Sequence, residues 1–317
     1  MTHTIEAVDK VEILTLQDNF IDMVAQDNSD VIQRAVARMG MEISNSISAE
    51  HGFSALVTIT CDGNARSLLF DFGFSEDGAA RNAEALNADI EAVEVLALSH
   101  GHLDHVGGIK RFMELTGKSS LDLVLHPWSF INPRFIKISE EFKVYFPAFT
   151  REKATEYGVN VIETEAPYPL LDGQALFLGQ IPRITAYEKG APDLCCEVEG
   201  KEMPDPFHDD TGLAFNVKGK GLVVLSGCAH SGIVNTVKHA QQVTGIDVVH
   251  AVMGGFHLSG TDFDSLIKPT TDGLKAFEPD WIVPTHCTGR EVVIYIEKEM
   301  PDQFILNMSG TKLTFAA

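Results

Sequence analysis

The sequence is short of cysteine, of basic residues and of long apolar runs, and each shortage removes a class of protein. Its five cysteines (Cys61, Cys195, Cys196, Cys228, Cys287) are an odd number without framework spacing in 317 residues. That excludes a disulfide scaffold and fits a reducing compartment. Lys and Arg number 24 against 45 Asp and Glu, a net charge of −21. Such acidity argues against a phosphate-backbone partner, which needs a clustered basic face. No apolar run approaches the roughly 20 residues of a membrane span, and the opening MTHTIEAVDKVEIL lacks the charged-then-apolar order of a leader. The expectations are therefore no nucleic acid, no membrane and a cytoplasmic location, with oligomeric state not legible. What is present, 44% hydrophobic and 22% charged residues, is ample for a large core.

Read along the chain, 11–16 (VEILTL) predicts a strand and 28–38 a short helix or loop. SALVTITCDGNARSLLFDFG predicts a hairpin turning at Asp62-Gly63. A polar helix is expected at about 77–88, then a strand buried on both faces in IEAVEVLALSH, a helix over 107–116 and a strand in LDLVLHP. A second hairpin, GLAFNVKGKGLVVLSG, turns at residues 218–221, followed by a helix at about 232–243 and the strand of IDVVHAVMGGFHLSG. That last stretch echoes IEAVEVLALSHGHLD. Two readings stay open: the ordinary recurrence of α/β units, or two similar β-sheet halves facing each other, helices outside, with their strand-end loops at one edge. Residues 128–210, aromatic and rich in proline, read as an irregular insertion that either covers a pocket or is simply loop. The whole chain, 1–317, reads as a single domain.

The chemistry concentrates in SHGHLDHVGG, residues 99–108, where three histidines and an aspartate follow an apolar strand. Imidazole nitrogen and carboxylate oxygen are the ligands expected for zinc, or for iron or manganese. His100 and His102, two apart in an extended turn, can chelate one ion. Asp104 and His105 come as the chain turns into a helix and can reach a second. Gly101, Gly107 and Gly108 permit the tight path.

SHGHLDHVGG, with LLFDFG before it, resembles the metallo-β-lactamase superfamily, whose fold is an αββα four-layer sandwich with a one- or two-metal site at the sheet edge. The resemblance implies two mixed β-sheets with helices outside. NFID, EHGFS, LGQIPR, DDTGLAF, SGCAHSGIVN, GGFHL and PTHCTG are similar to a subgroup containing archaeal dihydropterin–ribofuranosylaminobenzene phosphate synthases and metal-dependent hydrolases. Matched by position, His100, His102, Asp104 and His105 are metal ligands. His286 is the last histidine ligand, joining Asp104 and His105, and Asp71 orients the signature loop by hydrogen bonds. Where the superfamily usually carries a bridging Gly-Asp pair this chain has Gly227-Cys228. His230 is then read as the third ligand of the first metal, and Cys228 as a ligand or as a small buried neighbour.

Around that core, His257 in GGFHL is expected to act beside Asp104 in catalysis. His51 either contacts substrate or lies outside the site. Asp209 and Asp210 either hold ligand histidines or form a solvated turn. Arg183 either anchors an anionic substrate or pairs with Glu188. Cys287, in an extended segment after His286, is expected to point away from the metals. The function implied is a metal-dependent hydrolase of a small anionic ester, phosphoester, thioester or lactone. Its water would be activated by one or two divalent ions, zinc foremost, with iron, manganese or magnesium as alternatives. The rival readings are a pterin-diphosphate-dependent synthase and a non-catalytic metal- or ligand-binding protein.

Overall fold

Alternating and fully apolar runs fix two β-sheets, and the register of their strands brings the histidine-bearing loops to one edge. A computed structural model of the protein describes residues 2–36, 42, 46–191 and 193–317. The first sheet has eight strands in the order Val159–Glu163, Leu121–Leu125, Val93–Ala97, Asn64–Phe70, Ser54–Cys61, Lys10–Gln17, Lys312–Ala316 and Ile32–Gln33. The second runs Tyr168–Leu170, Ala175–Phe177, Gly212–Val217, Gly221–Ser226, Val249–Gly255 and Trp281–Thr285, with Ala7–Val8 added beside Gly212–Val217. Both are mixed, with antiparallel hairpins giving way to parallel strands.

The echo in the sequence is an echo in topology. Each hairpin hands over to a parallel strand, Val93–Ala97 beside Asn64–Phe70 and Val249–Gly255 beside Gly221–Ser226. Residues buried on the facing sides, such as Phe53, Val57 and Phe70 against Phe215, Leu225 and Met253, make one apolar core between the sheets. Helices α1 (Gly78–Ala85), α2 (Leu103–Val106) and α3 (Ile109–Thr116) come after strands of the first sheet, and α4 (Arg151–Glu156) precedes its edge strand Val159–Glu163. Ala79, Ala80 and Ala83 of α1 and Ile109, Phe112 and Met113 of α3, at helical spacing, bury against its outer face. On the second sheet α5 (Ile233–Thr244), α6 (Asp264–Lys275) and α7 (Arg290–Glu299) do the same through Val237, Leu274 and Ile296. The layers are helix, sheet, sheet, helix, the αββα sandwich. Among the described residues no helix is long and apolar enough to cross a membrane.

Of the helix and loop readings for 28–38, loop holds over 28–36, interrupted by the two-residue edge strand Ile32–Gln33, while 37 and 38 lie outside the described residues. One expectation is corrected. The segment 128–210 is not irregular. It supplies strands to both large sheets and builds a third, antiparallel sheet from Lys201–Pro204, Leu194–Val198, Arg134–Lys137 and Lys143–Tyr145. These strands are short and partly exposed, so they lack the apolar alternation that marks a strand in sequence.

Candidate metal centre

Strand ends of both large sheets deliver the polar groups. Asp71 follows Phe70, His100 lies three residues past Ala97, Cys228 two past Ser226, His257 two past Gly255, and His286 directly follows Thr285. Asp71, Ala229, His257 and His286 hold φ at 58°, 49°, 44° and 40°. A left-handed backbone at non-glycine residues costs on the order of 1–3 kcal/mol each and persists only where its surroundings enforce it. The signature-loop glycines serve by what they lack. A β-carbon on Gly101 would collide with the Ser129 carbonyl and one on Gly107 with that of Phe74.

Two groups of donors converge. Asp104, His105, Cys228 and His286 have ligand atoms within 4.8 Å of one another, as do His100, Cys228 and His230, and all six residues are buried. His105 Nε2 is 3.1 Å from Cys228 Sγ, His286 Nε2 is 2.9 Å from Asp104 Oδ2, and His230 Nε2 is 3.3 Å from His100 Nε2. Donors of a tetrahedral zinc site with Zn–N near 2.0–2.1 Å stand roughly 3.3 Å apart, so the spacing fits a shared ion. His102 belongs to neither group. Its ring stands beside the second, with centroids 4.6 Å from His100 and 4.9 Å from His230.

Asp71 sets the tautomers. Its Oδ1 accepts the Ser99 amide and its Oδ2 accepts the Ser99 hydroxyl. Ser99 Oγ, having donated, accepts from His100 Nδ1 at 2.9 Å. Asp71 Oδ2 also accepts from His105 Nδ1 at 2.6 Å. Both imidazoles therefore turn an Nε2 lone pair into the site. Asp209 and Asp210, fully buried rather than in a solvated turn, hold backbone rather than imidazole. Asp209 accepts the Gly101 amide, and Asp210 accepts the amides of His230 and Ser231.

Charge follows burial. Burial, then the neighbouring histidines, holds His100 well below the usual histidine range, and burial with Arg134 takes His102 down to about 3. Burial also pulls on His105, but Asp104 and Asp71 outweigh it and raise it to about 10. Asp104 is pushed up by burial and, more strongly in sum, down by His105 and His286, ending well below the carboxylate range. Burial raises Asp210 to about 6 and the Cys228 thiol far above its ordinary value. A divalent ion requires neutral imidazoles, an ionised carboxylate and a thiolate. His100, His102 and His230 are neutral already and Asp104 is ionised, while His105 and Cys228 would give up a proton to the cation. The donor set fits a metal.

Several placements were not expected. Cys287 does not point away. His286–Thr288 is a turn of 3₁₀-helix rather than an extended segment, and it brings Cys287 Sγ within 3.6 Å of the Cys228 carbonyl. Arg183 neither pairs with Glu188 nor lines the cavity over the centre. It lies 3.4 Å from the His230 carbonyl, while Glu188 accepts the Val234 and Asn235 amides at the start of α5. His51 sits at the rim, Nε2 3.5 Å from Asp104 Oδ2. The His257 ring is 4.1 Å from that of His230, and burial and His286 push it down to about 4, so it is neutral at pH 7 rather than a charged acid.

Sequence reasoning missed Ser99, Asp18, Asn19 and Arg134. Asp18 Oδ1 accepts the His286 amide, and Asn19 Oδ1 lies 3.3 Å from His286 Nδ1. Arg134, buried, donates to both oxygens of Asp209 and to Asp205. A polar pair closing an apolar strand, as Asp18-Asn19 closes Lys10–Gln17, was the available signal. Arg134 left none.

A family model described as the metallo-beta-lactamase superfamily matches residues 49–122. The chain is 34% identical over 248 residues to an uncharacterized protein of Methanocaldococcus jannaschii, 76% of this chain and 85% of that one. It is 30% identical over 275 residues to the same organism's 7,8-dihydropterin-6-methyl-4-(β-D-ribofuranosyl)-aminobenzene-5′-phosphate synthase, 84% of this chain and 90% of that one. The crystal structure of a metal-dependent hydrolase of the β-lactamase superfamily superposes with a TM-score of 0.73 over 97% of this chain and 100% of that one, at 24% identity, a likeness of fold. This chain belongs to the metallo-β-lactamase superfamily.

Proposed function

We propose that the protein is a binuclear metal-dependent hydrolase of a small ester, phosphoester, thioester or lactone. The observation that carries this reading is that Cys228 belongs to both donor groups. One ion would be held by His100, His102, His230 and Cys228, the other by Asp104, His105, His286 and Cys228. When bound, the ions supply Lewis acidity and a nucleophile from water at neutral pH, with zinc the best match to this nitrogen, oxygen and sulfur set.

The chain's own groups do the rest. Asp71 and Ser99 hold His100 and His105 in the ligating tautomer, while Asp18 accepts the His286 backbone amide and His286 Nδ1 lies within reach of both the Asn19 carboxamide oxygen and the Gly52 amide. Asp104, ionised, offers an oxygen for orienting a proton on the attacking side. His257, neutral and half-buried at the cavity wall, offers an N–H or a lone pair to the leaving group.

The test is elemental analysis of protein purified without chelators or an added affinity-tag metal, followed by assay on phosphoester, thioester and lactone panels. About two ions per chain and turnover lost in His102→Ala and His286→Ala are expected. Full metal content with no turnover on any panel would favour a binding protein. The 30% identity to the archaeal synthase supports a second reading, a synthase consuming a pterin diphosphate. It is distinguished by pyrophosphate release that requires a second, aryl-bearing substrate.

A further inference from the structure

The cavity over the metal centre, about 1120 Å³, is walled by exposed apolar side chains that have no evident structural duty. Phe20, Phe74, Val144, Tyr145 and Ile294 line it while remaining 45%, 41%, 43%, 57% and 50% exposed. They come from separate parts of the chain. Val144 and Tyr145 lie on the third sheet, Ile294 on α7, and Phe20 and Phe74 on loops after strands of the first sheet. Exposed apolar groups gathered from distant segments around one polar floor mark a ligand wall rather than scattered surface.

Charge points the same way. Arg290, at the start of α7, is the single Lys or Arg among the lining residues. Arg66, Arg111, Arg134 and Arg151 all pair with carboxylates. Arg290, in a chain with 45 acidic residues, has no ion-pair partner among the described residues. An unpaired guanidinium at the side of an apolar cavity is a fork for a carboxylate, sulfonate or phosphate.

We propose that the substrate is an amphipathic anion. Its apolar body lies between the third sheet and Ile294, and its anionic group, remote from the bond that reacts, is held by Arg290. This rests on the hydrolase reading only in placing that bond at the metal centre. Arg290, not Arg183, is then the anion anchor.

The test uses the metal-loaded protein and two fluorescent probes of similar shape, anilinonaphthalene sulfonate and the uncharged phenylnaphthylamine. Both are expected to bind once per chain. Arg290→Gln should weaken the sulfonate about 10-fold, the worth of one charge-assisted hydrogen bond, and leave the uncharged probe unchanged. Ile294→Asp should weaken both. Equal sulfonate affinity in Arg290→Gln, or several weak sites indifferent to Ile294→Asp, would overturn the proposal. The probes are not hydrolysed, so this result stands apart from the hydrolase reading, which fails instead if the loaded protein turns over no ester.

Discussion

Asp71 Oδ2 lies 2.6 Å from His105 Nδ1, with both side chains fully withdrawn from solvent. The same carboxylate takes the Ser99 hydroxyl that receives His100 Nδ1. One buried acid thus fixes an imidazole in each donor group, although it touches neither donor nitrogen.

Asp71→Asn keeps the shape and removes the acceptor that enforces Nδ1 protonation. Outer partners of ligand histidines are worth 10–100-fold in metal affinity. Competition titration against a chelator is therefore expected to show both sites weakened by about that range, with the fold retained by circular dichroism. Weakening confined to one site would show that Ser99 orients His100 without Asp71.

Arg134 is buried between Asp205 and Asp209, and Asp209 in turn holds the Gly101 amide. Arg134→Met leaves two carboxylates without a counter-charge. Breaking a buried pair from one side costs about 3–5 kcal/mol, so urea denaturation should show a loss of that order. A loss under about 1 kcal/mol would mean that the carboxylates escape to water or take up protons at little cost.

These two pairs show where the sequence was legible. The ligand loop could be read because four donors fall within six residues after an apolar run, and the hairpins because Asp62-Gly63 and Lys218-Gly219 are turn pairs. Arg134 and Asp209 are 75 residues apart, and Asp18 and His286 are 268 apart. No local pattern joins them. The third sheet was missed for a related reason, because Lys201–Pro204 is exposed throughout and carries no strand periodicity. Cys287 was misplaced because a single positive φ at His286 turns an extended segment into a 3₁₀ turn.

The metal-free protein should be acid-labile. His102, held at about 3, and His257, at about 4, bind protons more readily when unfolded, where histidine titrates near 6.5. Their stabilisation is full above pH 6.5 and is lost as pH falls toward those values. His102 alone accounts for about 3 kcal/mol between pH 6.5 and 4. Asp210, raised to about 6, opposes this, since its folded form takes up a proton more readily below that pH. Asp18, Glu188 and Asp205, also raised by burial, oppose it too, but the depressed histidines, His51, His100, His126, His230 and His239 with the two above, outnumber these carboxylates. Urea midpoints measured in chelator should fall steadily from pH 6.5 to 4.5, and a flat profile would contradict the neutral-imidazole assignment.

Cys228 is the atom source common to both donor groups, so its sulfur should report directly on the ions. Substituting cobalt for the native metal is expected to produce a near-ultraviolet thiolate-to-cobalt band. Cys287→Ala should keep that band, because Cys287 belongs to neither donor group, although its thiol lies within hydrogen-bonding reach of the Cys228 side chain. Cys228→Ala should abolish it and reduce the metal content toward one ion, since the groups then share no ligand. Cys228→Asp should restore the second ion without the band, a carboxylate bridging where the thiolate did. If the band is absent from the parent protein, or if Cys228→Ala still binds two ions, the sulfur is a packed neighbour and the two metals must be joined by some other group.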